Sequence, residues 1–247
     1  MKRFFTFVVV TLLCLSASAK QGKAVVDGIE WTYEVIDEDA KTCMVGAGDI
    51  NSKNPPAPAI DQTITGSVTV PEYIDGYKVI KINDDALKNC QVSLIVVPNT
   101  VSTIGDDAFK SENLIKLELG SGITYVGEDA LERCENLADV IILTTTPPSV
   151  KNQLFPISSH KDDYPSKAVL HVPAGCKAAY SAADGWKDFL QCGGIVEDAA
   201  TSINSAKNVV GTSEVERYTL EGRRTNGEKG INFIRMSDGT TKKIFVK

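Results

Sequence analysis

Hydrophobic residues recur at a fixed spacing through the middle of this chain. Two sets of apolar positions repeat every 22 residues: Ile82, Ile104, Val126 and Ala86, Ala108, Ala130. Apolar triplets follow in nearly the same register: Val92/Ile95/Val97, Leu114/Leu117/Leu119 and, one residue later than the strict period, Leu137/Val140/Ile142. Such self-similarity predicts a solenoid, in which each repeat is one coil stacked on its neighbours.

The spacing inside each repeat indicates the type of solenoid. A period of about 20–29 residues with an L-x-x-L-x-L core is typical of leucine-rich repeats. We therefore predict a mainly β fold with short helical turns, built as a short leucine-rich repeat solenoid of about three 22-residue coils. Alternating apolar residues on both flanks predict β-rich caps, and the last 34 residues (214–247) predict a small C-terminal β tail.

Each repeat also carries a pair of acidic residues. The pairs are Asp84/Asp85, Asp106/Asp107 and Glu128/Asp129. Paired carboxylates can serve in acid–base catalysis or hold a cation, but a catalytic group occurs once in a fold and this pair occurs in every coil. We therefore predict a structural role, in which the first acid caps a one- or two-turn helix and the second lies at its positive end.

The flanking patterns set the predicted boundaries. Alternating Trp31, Tyr33 and Val35 predict a strand, and "DEDAK" is predicted to be the turn that joins it to a second strand near Cys43–Val45. Pro147 and Pro148 interrupt the repeat, and Trp186 and Phe189 are predicted to close the core. The predicted segments are a signal peptide (1–19), an N-terminal β cap (20–66), repeat coils (67–150), a C-terminal cap (151–197), a linker (198–213) and a tail (214–247).

The repeats resemble a known family. "VSTIGDDAFKSENLIKLELGSGITYVGEDALERCENL" is similar to the BspA-like leucine-rich repeat proteins of Bacteroidota and some parasites, and the resemblance extends over about residues 25–197. Two departures are Gly120, where the family has proline, and Glu112, where the other repeats have Cys90 and Cys134. The resemblance implies a secreted or surface protein that binds or adheres to other molecules and catalyses no reaction.

The tail carries a second resemblance. "LEGRR" and "DGTTKKIFVK" are similar to the C-terminal tails of secreted Bacteroidota proteins, including type IX (Por) sorting tails. This resemblance implies secretion or sorting to the cell surface.

The N-terminus predicts export. "MKRFFTFVVVTLLCLSASAK" has a basic start, an apolar run and a small-residue cleavage site, so we predict cleavage between Ala19 and Lys20. An apolar run of about 12 residues is too short to span a bilayer, which needs about 20. Cys14 raises a lipoprotein alternative, although the bulky Leu13 precedes it. We expect an extracellular or outer-surface protein, with the periplasm as an alternative, that does not span the membrane.

The net negative charge of the chain argues against nucleic acid as a partner. Cleavage removes Lys2 and Arg3, which lowers the formal net charge from −6 to −8. Residues 214–247 carry eight Lys or Arg and five Asp or Glu, so residues 20–213 are left at −11. Such a body repels nucleic acid.

The chain lacks the usual signatures of catalysis and metal binding. Five cysteines remain after cleavage, without a CxxC pair, and Cys90 and Cys134 are predicted to be buried rather than bonded to each other. Of the two histidines, His171 is predicted to be a surface residue, because a metal or catalytic role lacks a partner in the sequence. Trp31, Tyr33 and Trp186 are predicted to be core residues, with a sugar-stacking platform as the alternative. We predict no enzyme activity and no cofactor.

Strand alternation predicts a binding surface, because side chains between buried positions point outward. One outward row is Thr69, Val96, Glu118, Ile141 and His171, and the other is Ser67, Leu94, Lys116, Asp139 and Val169. The candidate ligand-binding residues are Leu94, Val96, Lys116, Glu118, Asp139, Ile141, Val169 and His171. Exposed apolar patches commonly mark interaction sites, and the alternative is that a cap covers these residues. The predicted ligand is a host or bacterial surface protein, and the alternative is a glycan.

Overall fold

Stacked β-strands make up nearly all of the regular structure. The structure, a computed structural model, describes residues 20–48, 56–156, 165 and 167–198, together with the backbone of three strands in the tail. The strands, in chain order, are β1 (Gln21–Val26), β2 (Ile29–Asp37), β3 (Thr42–Val45), β4 (Gly66–Thr69), β5 (Tyr73–Ile74), β6 (Tyr77–Ile82), β7 (Val92–Val97), β8 (Thr103–Ile104), β9 (Lys116–Leu119), β10 (Tyr125–Val126), β11 (Asp139–Ile142), β12 (Ser149–Val150), β13 (Val169–Pro173), β14 (Gly194–Asp198), β15 (Glu214–Thr219), β16 (Gly230–Met236) and β17 (Thr241–Val246). Helix α1 (Lys177–Ala182) and a 3-10 helix (Trp186–Gln191) lie between β13 and β14.

Two sheets form the solenoid. The first has six strands in the order β14-β13-β11-β9-β7-β4, and every pair in it is parallel. The second has eight strands in the order β1-β2-β3-β6-β8-β10-β12, with β5 paired to β6. Strands β3, β6, β8, β10 and β12 are parallel, whereas β5 is antiparallel to β6 and both β1 and β3 are antiparallel to β2. The chain alternates between the two sheets, as a solenoid of leucine-rich repeat type requires.

The fold class is confirmed, but the solenoid has about five coils rather than three. At the N-terminal end, β3 already pairs in parallel with β6. At the C-terminal end, Pro147 and Pro148 do not stop the stacking, since β12 follows them and pairs with β10. The Leu131 N–H donates to the Leu154 carbonyl at 2.8 Å, as the Phe109 N–H donates to that of Ala130 at 3.0 Å.

The acid pairs lie in tight turns rather than in helices, so the predicted helix capping is wrong. Each turn is closed by a backbone bond of the type Lys110 N–H to Asp107 C=O, at 3.1 Å. The second acid of each pair has a left-handed backbone, with φ of 57° at Asp85, 53° at Asp107 and 54° at Asp129. Aspartate tolerates this conformation better than most residues do, because its short polar side chain can bond locally.

The glycine that precedes an acid pair is required by close stacking. A Cβ on Gly127 would lie 2.4 Å from the backbone carbon of Gly105 in the preceding coil. Any larger residue would therefore push adjacent coils apart.

Apolar side chains from both sheets fill the space between them. Ile82, Ile104 and Val126 on the second sheet are buried, as are Ile95 and Leu117 on the first. Successive side chains of a strand point to opposite faces of the sheet, so every second residue of these strands enters the core.

Aromatic residues close both ends of this core. Trp31 and Tyr33, on β2, are 1% and 5% exposed, and Trp186 is 1% exposed. The Trp186 Nε1–H donates to the Pro148 carbonyl at 2.8 Å, and the Trp186 ring meets that of Tyr180 edge to face. The core interpretation of these aromatics is confirmed, and the sugar-platform alternative is wrong because their rings are inaccessible.

The tail strands form a sheet of their own. Strands β15, β16 and β17 pair in antiparallel fashion, within the segment for which the sequence predicts a small β tail. The predicted signal peptide and residues 199–213 of the predicted linker lie outside the described residues, and Asp198 belongs to β14. Among the residues that the structure describes, no helix is long and apolar enough to cross a membrane.

Candidate binding surface

The side of the six-stranded sheet that points away from the core is the candidate surface, and we call it the outer face. Both predicted rows are in register on it, each residue lying beside the next on the neighbouring strand. Strand β14, which the sequence analysis missed, extends the rows. The complete rows are Thr69, Val96, Glu118, Ile141, His171, Val196 and Ser67, Leu94, Lys116, Asp139, Val169, Gly194.

Burial divides the predicted contact residues. Val96 and Glu118 are only 3% and 7% exposed, so the prediction that they are accessible is wrong. Both lie on central strands, where side chains of two neighbouring strands flank them, and Lys116 lies against Glu118. The other six predicted residues (Leu94, Lys116, Asp139, Ile141, Val169 and His171) are partly exposed.

Three of the four accessible apolar side chains in the outer rows lie at the C-terminal end of the outer face, and the fourth, Leu94, lies on β7. Ile141 and Val169 are partly exposed, and Val196 is 36% exposed. They surround His171, since Ile141 and Val196 are its partners on the two neighbouring strands and Val169 precedes it by two residues on β13. Val196 was not predicted, although the β-branched pair Ile195-Val196 after Gly193-Gly194 is a strand signal.

The charged residues of the outer face are paired with one another. The Lys116 ammonium lies 2.9 Å from a Glu118 carboxylate oxygen. His171 Nε2 lies 2.8 Å from Oδ1 of Asp139, and Nδ1 is in hydrogen-bond contact with Oδ2 of Asp198. The sequence analysis gave His171 no partner, and this is wrong, because stacking brings residues 32 and 27 positions away to its two nitrogens.

This cluster does not form a metal site. The two carboxylates face different nitrogens of one ring, so they do not converge on a single point with it. Within the described ranges, no three or more His, Cys, Asp or Glu side chains are placed to hold a metal ion.

The acid pairs lie elsewhere, along the turns between β6, β8 and β10 and the strands that follow them. We call this region the turn edge (residues 84–89, 106–110 and 128–133). The Asp84 carboxylate accepts the backbone N–H of Asp106 at 3.0 Å, and the Asp106 carboxylate accepts that of Glu128 at 2.9 Å. The first acid of a pair thus caps the next coil rather than its own.

Two of the second acids, Asp85 and Asp107, form a charge ladder with lysines and Glu132 on the turn edge. Lys88 lies 2.7 Å from Asp85 and 3.4 Å from Asp107, and Lys110 pairs with Asp107 at 3.3 Å and with Glu132. Acidic and basic side chains therefore alternate along the turn edge, and the ion pairs between adjacent coils help to hold the coils together.

A cleft of about 400 Å³ opens between two loops, but it carries no catalytic constellation. Its described lining is Ser121, Ile123, Thr124, Leu143, Thr144, Thr145, Thr146, Pro147 and Pro148. None of these side chains titrates near neutral pH or offers an aromatic ring for stacking on a sugar.

The cysteines in the described part of the chain are buried or partly buried, and all of these are free thiols. Cys90 and Cys134 are 1% and 0% exposed, which confirms the prediction that they act as small core residues. Burial raises the pKa of the Cys134 thiol to about 12 and that of Cys90 to about 11.

Comparison with known proteins agrees with the repeat type. Residues 67–163 match, as six copies, the model of a family described as the BspA type leucine rich repeat region. No curated protein matches the sequence.

Solved structures of three leucine-rich repeat proteins are similar to this chain. One from Bacteroides capillosus is 19% identical with a TM-score of 0.39, and the match covers 53% of this chain and 88% of that one. One from T. pallidum is 16% identical with a TM-score of 0.42, covering 73% and 93%. A leucine rich cell surface protein from Faecalibacterium prausnitzii is 13% identical with a TM-score of 0.36, covering 91% and 61%.

Proposed function

We propose that this leucine-rich repeat protein is an exported, non-catalytic adhesion or binding protein, and that the outer face of its six-stranded sheet contacts a protein ligand. The observation that carries the proposal is the accessible apolar group of Ile141, Val169 and Val196 on a surface of regularly spaced parallel strands. Apolar side chains grouped on a surface commonly mark a contact with another protein.

The arrangement suits a protein more than a small molecule. Six parallel strands at about 4.8 Å spacing span roughly 24 Å, which is the width of a protein contact. The apolar group lies at one end of this surface and the Lys116–Glu118 pair near its centre. The surface thus combines apolar side chains with charged pairs, and protein contacts use both kinds of residue.

Export is proposed from the N-terminal sequence. The basic start, the apolar run and the site between Ala19 and Lys20 support secretion. The resemblance of residues 214–247 to sorting tails supports a position at the outer cell surface. N-terminal sequencing of the protein recovered from cultures should give Lys20, and recovery of Met1 or of a lipid-modified Cys14 contradicts export by this route.

A crosslinking pull-down tests the binding role. The mature protein, residues 20–247, serves as bait for cell-surface material, beside the variant Ile141→Glu, which places a charge in the apolar group. The matched control is Ile80→Glu, because Ile80 is a partly exposed isoleucine on the second sheet. We expect a protein that crosslinks to the parent and to Ile80→Glu but not to Ile141→Glu. A ligand captured equally by all three contradicts the proposed surface.

A further inference from the structure

One histidine connects three strands of the outer face. His171 on β13 contacts Asp139 on β11 through Nε2 and Asp198 on β14 through Nδ1. Its side chain is 20% exposed, and the two carboxylates are 43% and 42% exposed. We call these three residues the histidine bridge.

The chemistry of the two contacts constrains the protonation of the ring. An ionised carboxylate only accepts hydrogen bonds, and a neutral imidazole has one N–H donor and one acceptor nitrogen. A neutral His171 could therefore bond one aspartate but would direct a lone pair at the other. The imidazolium has two N–H donors, so it alone satisfies both carboxylates at once.

We infer that the histidine bridge is a proton-dependent connection that regulates the outer face, closed when His171 is protonated and opened on one side when it is not. The inference rests on the proposed function in one respect: each aspartate shares a strand with a side chain proposed to meet the ligand, Asp139 with Ile141 on β11 and Asp198 with Val196 on β14. Release of either carboxylate adds an unpaired negative charge to the apolar group, and release of Asp198 also removes a contact that attaches the edge strand β14.

The other charged groups near the ring do not replace these partners. Lys116 lies beside Asp139 on the neighbouring strand, but it pairs with Glu118. Glu197 on β14 accepts the backbone N–H of Lys177 at 2.8 Å. Among the described residues, Asp139 and Asp198 are thus the charged groups that meet His171 directly.

The direction of the pH dependence follows from this geometry. The protonated ring gains two carboxylate partners in the folded chain that it lacks in the unfolded chain. The bridge is therefore complete with a protonated ring and incomplete with a neutral ring, so its contribution to stability is greater at the lower pH. Because both carboxylates are partly exposed to solvent, the effect on stability is small.

The sequence makes the test simple, since His160 is the second of only two histidines. In the His160→Gln variant, NMR at a pH of about 5.5 should show both ring N–H protons of His171 slowed in exchange by hydrogen bonding. Asp198→Ala should abolish the protection of the Nδ1 proton, and Asp139→Ala that of the Nε2 proton, because alanine offers no acceptor. The inference is overturned if both protons exchange freely, or if Asp198→Ala leaves both unchanged.

A stability measurement gives an independent readout. Between a pH of about 5.5 and one of about 8.5, the melting temperature of the parent should fall by about 2–4 °C more than that of His171→Gln. The His160→Gln control should follow the parent. An equal fall in the parent and His171→Gln overturns the inference. Both experiments use the protein without a ligand, so a negative result in them does not contradict the proposed binding through Ile141. Likewise, a negative result in the pull-down does not contradict the histidine bridge.

Discussion

The turn edge and the outer face belong to the same coils but use their side chains differently. On the turn edge, equivalent positions carry similar residues, as Asp84, Asp106 and Glu128 do. Two of these carboxylates bond the backbone of the next coil. On the outer face, Leu94, Lys116, Asp139 and Val169 occupy equivalent positions with different chemistry. Equivalent positions that keep the same type of residue in every coil stabilise the stacking of the coils. Equivalent positions at which the residue type differs are available for binding a ligand.

The largest effect on stability should come from a charge placed on the core-facing side of the six-stranded sheet. Val97 is fully buried, so Val97→Glu places an unpaired charge in the core and should cost more than about 4 kcal/mol of unfolding free energy, which unfolds the protein. Thr69→Glu, on the exposed outer row, should change the free energy by less than about 0.5 kcal/mol. Circular dichroism during urea unfolding measures both. Two variants of equal stability would show that the assignment of inner and outer residues is wrong.

The burial of Val96 changes an expectation drawn from the sequence. Val96→Glu should now destabilise the protein strongly, because the side chain is 3% exposed. Ile141→Glu is therefore the suitable probe of binding.

A smaller effect should follow from removing one acid of the turn edge. Asp106→Ala loses the bond to the Glu128 N–H and the contact with Lys151, and should cost about 0.5–2 kcal/mol. Glu112→Ala is the control, since its pair with Arg133 is half exposed and contributes little. Ligand binding should survive in both variants. Loss of binding by folded Asp106→Ala would mean that the turn edge recognises the ligand.

The rates at which cysteines react with a thiol reagent should show whether the central coils open less readily than the C-terminal cap. Burial raises the pKa of Cys134 to about 12, so at a pH of about 8 its thiolate is scarce and inaccessible. Cys192, partly exposed in the cap, should react with a thiol reagent before Cys90 and Cys134 do. Mass spectrometry of the labelled protein gives the order. Equal rates would indicate that the central coils open as readily as the cap.

The smallest effect should come from removing the tail. Truncation after Asp198 keeps β14 and the contact between Asp198 and His171, so the melting temperature should stay within a few degrees of the full-length value. Differential scanning calorimetry of residues 20–198 and 20–247 makes the comparison. A large fall would mean that the tail completes the solenoid.

The sequence predicted the features that repeat. The period of 22 residues was sufficient for the repeat type, and strand alternation gave the register of both outer rows from Ser67 to His171. When the same residue type recurs at equivalent positions of several repeats, each occurrence supports the same structural prediction, so the prediction does not depend on one position.

The features that it missed do not repeat. The coil that contains Leu154 and Phe155 was overlooked because it follows its neighbour by 24 residues instead of 22 and has no acid pair. The partners of His171 come from different coils, and no local pattern relates residues 139, 171 and 198. The burial of Val96 depends on its neighbours in space, which alternation along one strand does not describe.

The central claim is that the outer face recognises the ligand and the turn edge only holds the coils together. Titration calorimetry with the protein captured in the pull-down tests it on the parent, Ile141→Glu and Asp106→Ala. We expect Ile141→Glu to weaken binding by about 30-fold or more, as loss of an interface anchor does, and Asp106→Ala to bind as the parent does. Unchanged affinity in Ile141→Glu, or a comparable loss in folded Asp106→Ala, would contradict the account.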